Sequence, residues 1–168
     1  MQLVEVHKAP LINHLSRLRI IGSSNGLVCI RLPVFSAEFR MYIDSFLVWN
    51  PATREDELVL RTIDFLGDCY LGFGFSPVVN DYKIVKIYGY KEYFDNGFLF
   101  RVGTKSLNGV DVYALSTGLW KQVEFGNLEG LNFYADAATV SGAVFWLGIK
   151  QDVEGEDGHG RCHFIVLF

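Results

Sequence analysis

Several places in this chain bring together residue types that could do chemistry. Gly22-Ser23-Ser24-Asn25-Gly26 has the Gly-x-Ser-x-Gly spacing of a nucleophile elbow. That elbow works only where a strand runs into the serine and a helix leaves it. A β-rich run follows Ser24, Asn25-Gly26 already has the composition of a hairpin turn, and a base would have to come from His159 or His163. His159-Gly160-Arg161-Cys162-His163 gathers three metal-ligand types in five residues. Structural zinc takes four ligands, usually as two spaced pairs, and the chain has no second pair. Gly72-Phe73-Gly74 lacks the third glycine and following helix of a dinucleotide site, and Pro77 interrupts what comes next. Its simpler reading is a strand whose glycines let a neighbouring backbone come close. Glu55/Glu57 and Glu154/Glu156 are paired carboxylates, but no neighbour distinguishes one member from the other, as acid–base work requires.

The elements that would position these groups are strands. A short apolar run closed by a polar turn occurs at Phe46-Leu47-Val48-Trp49 before Asn50-Pro51-Ala52-Thr53, and again at Val112-Tyr113-Ala114-Leu115 before Ser116-Thr117-Gly118. It returns at Phe164-Ile165-Val166-Leu167-Phe168. An earlier strand beside a turn precedes each: Ser24 to Ile30, Asn80 to Ile87, and Ser141 to Leu147. A period of about sixty residues built from strands predicts blades of a propeller-like array, two to three in this chain. Asn25-Gly26, Asn96-Gly97 and Asn108-Gly109 each carry the dipeptide that type I′ hairpin turns favour, since both central residues need positive φ. Tyr82 to Tyr88 and Val110 to Tyr113 alternate as half-buried strands should, and Ala143 to Ile149 reads as a strand covered on both faces. Only residues 1–18 have weak helical character. The expected class is all-β: a partial, kelch-like β-propeller array of antiparallel blades. Asn50-Pro51-Ala52-Thr53 is expected to be a blade turn, and Trp49, Trp120 and Trp146 to pack in the core.

Composition narrows the function classes. The chain has 168 residues, half of them hydrophobic and 15% aromatic, which suits one packed domain. A net charge of −4 with scattered Lys and Arg leaves no basic stripe for nucleic acid. No apolar run is long enough for a membrane-spanning helix, and the first residues lack a secretory signal pattern. Cys29, Cys69 and Cys162 are far apart and odd in number, a poor disulfide framework that fits a reducing, intracellular compartment, cytoplasmic or nuclear.

Together the motifs resemble the F-box-associated domain of plant F-box proteins, of the F-box/kelch-repeat and S-locus F-box type. The matching segments are Ile21 to Cys29, Val48 to Glu55, Gly72 to Phe75 with Asn80 to Val85, Val112 to Trp120, and Val140 to Trp146. The order of these segments over residues 18–168 makes the match specific. The resemblance implies a protein-binding domain that recognises the target of an SCF-type ubiquitin ligase. It implies no catalytic residues, no metal and no cofactor. The Skp adaptor and cullin would be reached only through an F-box, whose Leu-Pro-rich pattern is lacking in residues 1–17, expected to be a remnant or linker. The match stops at Phe168 within an expected strand, so residues 18–168 are expected to be a domain truncated at its C-terminal end. A small β-architecture hydrolase using Ser24 or the loop carboxylates is the alternative from another class, and a truncated fragment without independent activity is a third.

Binding is expected to fall on the longer connections, Pro33 to Tyr42 and Gly89 to Phe100. They carry Phe35, Phe39, Arg40, Tyr90, Tyr93 and Phe94, residue types enriched in binding hot spots. The alternative is that these aromatics fold inward and cover the sheets. Two further connections are expected, Phe125 to Asp136 and an acidic, solvated, mobile stretch from Gln151 to Gly160.

Overall fold

The structure is a computed structural model that describes residues 18–38, 40–60, 68–95, 100–124, 131–133, 137–140, 143–151 and 161–167. The weakly helical stretch expected before Leu18 lies outside them. All of the regular structure among these residues is strand, in three antiparallel sheets. The first sheet contains β1 (Arg19–Ser24), β2 (Leu27–Ser36), β3 (Met41–Trp49) and β4 (Asp56–Leu60), in that order. The second repeats the arrangement with β5 (Asp68–Ser76), β6 (Asp81–Asp95), β7 (Phe100–Ala114) and β8 (Leu119–Val123). In the third, β9 (Leu131–Phe133) and β10 (Ala138–Val140) share one side of β11 (Ala143–Gln151), and β12 (Arg161–Leu167) takes the other. The three apolar runs that repeat in the sequence are the third strand of each blade: β3, the end of β7, and β12.

Alternation of side chains along each strand explains how the blades stack. Ile84 and Tyr113, with Phe73 of β5, face the first blade, where they join Ile21, Cys29, Phe46 and Val48. Their neighbours Val85 and Val112 face the third blade and meet Leu131, Phe133, Val144 and Trp146. The middle blade is therefore apolar on both faces. Full burial of each such Ile, Phe or Val contributes about 1.5–3 kcal/mol, so the two inter-blade layers hold the array together. Trp146 and Phe46 are among the largest fully buried side chains. Trp120 joins the first layer beside Phe46 and Tyr113, at ring-centroid distances of 5.8 and 5.3 Å.

The first strands of the blades lie against one another and run the same way. Ala137 N–H donates to Leu71 O at 2.9 Å, and the Thr139 hydroxyl donates to Phe73 O at 2.6 Å. Gly72 sits at this junction. A Cβ there would lie 2.5 Å from Val144 Cγ1 and 2.7 Å from Trp146 Cζ2. The glycine is thus a close-approach residue, as its strand context predicts, rather than part of a dinucleotide loop.

Three expectations change. Asn108-Gly109 is not a turn but lies inside β7, where Tyr88 pairs with Gly109 and Gly89 with Leu107, leaving Asn108 as the extra residue of a bulge. The hydroxyl of Tyr88 occupies the space a Cβ at Gly109 would need. The connections expected at Pro33 to Tyr42 and Gly89 to Phe100 are largely strand: β2 continues to Ser36, β3 starts at Met41, and β6 runs to Asp95. The strand from Ala143 to Ile149 is not covered on both faces throughout, since Val144 and Trp146 are buried while Leu147 is half exposed. Asn96-Gly97 and residues 125–130, 134–136 and 152–160 lie outside the described residues.

Candidate functional site: two ribbons at one end

The two ends of the array differ. One end carries the β1–β2, β3–β4, β5–β6 and β7–β8 turns. Asn25 and Gly26 close the first with φ of 45° and 85°, the left-handed pair a tight hairpin demands. Asn50 closes the second: its Oδ1 accepts from Ala52 N–H at 3.0 Å and its backbone O from Arg54 N–H at 2.8 Å. The blade turn expected at Asn50-Pro51-Ala52-Thr53 is therefore present.

Side chains tie these turns together. Tyr82 donates its hydroxyl to Asn25 O at 2.8 Å, across two blades. Phe75 N–H donates to Ser24 Oγ at 3.1 Å. The strand β2 follows Ser24, so the helix that a nucleophile elbow needs is not at this position. Asp81 is buried and accepts from Lys83 Nζ and from both the N–H (2.9 Å) and hydroxyl (2.8 Å) of Ser116. Burial opposes ionisation of Asp81, but the hydrogen bonds from Lys83 and Ser116 and the Lys83 charge together hold its carboxyl below the ordinary value.

The other end projects. β1 pairs with β2 only as far as Arg31, and β4 pairs with β3 only to Ser45. Among the described residues the hairpin from Leu32 to Ser36 and from Met41 to Asp44 is a two-stranded ribbon. In the second blade β5 stops pairing at Gly89 and β8 at Val110, so among the described residues Tyr90 to Asp95 and Phe100 to Leu107 form a second ribbon. Six residues of strand extend about 20 Å at the usual rise.

The ribbon bases are joined. Arg31 forms a bidentate pair with Asp44, Nε to Oδ1 at 2.8 Å and Nη2 to Oδ2 at 2.7 Å. The Cys69 thiol donates to Asp44 Oδ2 at 3.9 Å, and Cys69 pairs with Tyr88 at the root of the second ribbon. Lys86 is buried there with its Nζ 5.6 Å from the centre of the Tyr88 ring. The sequence reading missed Lys86 and the Arg31–Asp44 pair. The available signal was a lysine on the apolar beat of Tyr82 to Tyr88, which marks a cation that folding must accommodate.

The predicted binding residues fall on these ribbons. Phe35 stands opposite Tyr42 in register and is 56% exposed, and Arg40 is exposed in the turn with φ of 52°. Phe39 lies outside the described residues. Tyr90, Tyr93 and Phe94 are on the second ribbon, opposite Ser106, Val102 and Arg101. The fold thus brings two sequence-distant aromatic segments to the same end.

Of the other chemical candidates, Cys162 and His163 occupy successive positions of β12, while His159, Glu154 and Glu156 lie outside the described residues. Among the described residues no group of three His, Cys, Asp or Glu side chains is placed to hold a metal. Glu55 accepts from the Thr53 hydroxyl at 2.9 Å and Glu57 from the Tyr113 hydroxyl at 3.3 Å. Cys29 and Cys69 are thiols outside any disulfide, and burial pushes the Cys29 thiol well up despite a backbone hydrogen bond at Ile30. Among the described residues no helix is long and apolar enough to cross a membrane.

Comparison with known families gives one match: the F-box associated beta propeller domain, over residues 16–168. No curated protein and no solved structure matches the chain.

Proposed function

From the premise that this chain belongs to the F-box associated beta propeller domain family, we propose that it binds the protein target of an SCF-type ubiquitin ligase. In this reading ubiquitin transfer is carried out by other subunits. The Skp adaptor and cullin are reached through an F-box outside residues 1–168. The work is done inside the cell, in the cytoplasm or nucleus. The domain holds its target and contributes no reacting group.

The observation that carries this reading is the pair of ribbons, which set Phe35, Arg40, Tyr90, Tyr93 and Phe94 at one end of a rigid array. Aromatic and arginine side chains on a rigid scaffold supply contact area at low entropic cost. Phe39, next to Arg40 in sequence, is proposed for the same role.

The test is affinity capture with the F-box protein carrying Tyr93→Ala and Phe94→Ala together. Proteins held by the wild type are expected to be lost from the double variant while its melting temperature stays within a degree or two of the parent. An unchanged set of captured proteins would remove the second ribbon from the binding surface.

A further inference from the structure

We infer that the second ribbon takes an acidic segment of its partner, through Lys91 and Lys105. The inference rests on the proposal that this ribbon is a binding surface, and it names the chemistry that the surface accepts. Lys91 of β6 stands directly opposite Lys105 of β7 in register. Like charges at opposed positions of an antiparallel pair destabilise it. The ribbon's own register does not relieve the pair. The positions two residues away on the two strands are Gly89, Tyr93, Gly103 and Leu107, none of them acidic. Glu92 holds the alternate position of β6, which belongs to the other face. Asp95 is opposite Phe100, about 13 Å further along the strand from Lys91.

Elsewhere the fold sets its cations against acids. Arg31 forms its bidentate pair with Asp44 across β2 and β3, and Lys83 reaches Asp81. Lys86, on the same strand as Lys91, stands opposite Asp111. At Lys91 the same two strands place two cations opposite each other instead. The chain as a whole carries a net charge of −4, so its overall field favours a basic partner. The preference for acid is therefore local to the ribbon. A partner segment bearing carboxylates along this face would remove the repulsion between the lysines and add attraction to both. Tyr93, at the next position of the same face, supplies aromatic contact area for that segment.

Fluorescence anisotropy of the 168-residue chain with a short, labelled Asp/Glu-rich peptide tests this, against the same peptide with Asn and Gln in place of Asp and Glu. The acidic peptide is expected to bind roughly tenfold or more tightly than the amide peptide, and to weaken as salt rises. Lys91→Glu and Lys105→Glu should each lower its affinity by roughly tenfold or more. Each also turns the like-charge pair into an opposite-charge one, so the melting temperature should hold or rise. A merely structural role for the lysines would move both readouts together. The two reversals in one chain should transfer the preference to a Lys/Arg-rich peptide. Lys121→Glu, on β8 opposite Val112, should leave binding unchanged. Lys91→Gln and Lys105→Gln carry the same test if a reversal fails to fold. Equal binding of the acidic and amide peptides, or binding indifferent to both ribbon lysines, overturns the inference. If that happens while capture through Tyr93 and Phe94 succeeds, the acidic class falls and the ribbon remains the binding surface. If the lysines control peptide binding while that capture fails, the acidic class stands and the aromatic assignment falls.

Discussion

At one end of this molecule Tyr82 reaches from the second blade to the backbone of Asn25 in the first, and Asp81 clamps the turn at Ser116. At the other end, among the described residues, β2–β3 and β6–β7 run on past their neighbours as ribbons two strands wide. The chain visits both ends equally often, because every strand is antiparallel to the next. What differs is where polar side chains are placed. Turn residues at the first end satisfy backbone groups of other blades, so the turns are short and fixed. At the second end the described polar contacts lie at the ribbon bases, with Arg31, Asp44 and Cys69. Beyond them aromatic residues are carried outward. A scaffold anchored at one end and extended at the other suits the binding role proposed above.

That contrast can be broken by mutation, with the largest effects expected at the anchored end. Phe73 is fully buried, stacks on Tyr82 at 5.8 Å and lies in the layer between the first two blades. Phe73→Ala should cost about 3–5 kcal/mol, read as a lower denaturant midpoint, and a cost under about 1 kcal/mol would mean the blades are not packed as described.

Asp81→Asn comes next, at about 2 kcal/mol, because a buried charge-assisted network loses its acceptor. It also carries a pH signature. The folded carboxyl titrates below its ordinary value of 3.8, so the stability it contributes is present above that value. This contribution is lost as pH falls below 3.8 and through the folded value. Urea titrations of the wild type should show that fall, and those of Asp81→Asn should show a shallower one.

Tyr82→Phe removes a single hydrogen bond to Asn25 and should lower stability by about 1 kcal/mol. Ser24→Ala should have a similar cost, since it deprives Phe75 N–H of its acceptor. In the hydrolase alternative the same variant would abolish labelling by a serine-reactive probe that the parent accepts.

The smallest effect belongs to the ribbon. Phe35→Ala should change stability by less than about 0.5 kcal/mol, as an exposed position does, and melting measurements would reveal any larger cost. Amide exchange sharpens the contrast further. Among the described residues no second strand flanks Tyr90 to Asp95 as β5 flanks Ile84 to Ile87, so their amides should exchange faster.

Much of this architecture was legible in the residues, and the failures are instructive. Asn25-Gly26 and Asn108-Gly109 are the same dipeptide, yet only the first is a turn. At Asn25 the flanking strands pair directly with each other. At Gly109 β7 stays paired with β6 on both sides of a one-residue bulge, and the Tyr88 ring lies where a side chain would otherwise stand. A preference for positive φ permits a turn without compelling one. The aromatic segments were read as loops, and they are largely strand. Nothing local to Tyr90-Lys91-Glu92-Tyr93-Phe94 reveals that a strand at Phe100 to Leu107 will pair with it in register.

What the sequence by itself determined is the alternation of apolar and polar residues, the turn chemistry at Asn25-Gly26 and Asn50-Pro51, and the threefold repeat of an apolar third strand. These depend on backbone sterics and on the two-residue period of a strand, which need no partner. Only the tertiary structure decided which faces are covered, where Lys86 is accommodated, and which hairpins outrun their sheets. Those outcomes depend on the register between strands far apart in the chain. Register is set by the summed packing of whole blades, a quantity no single segment carries.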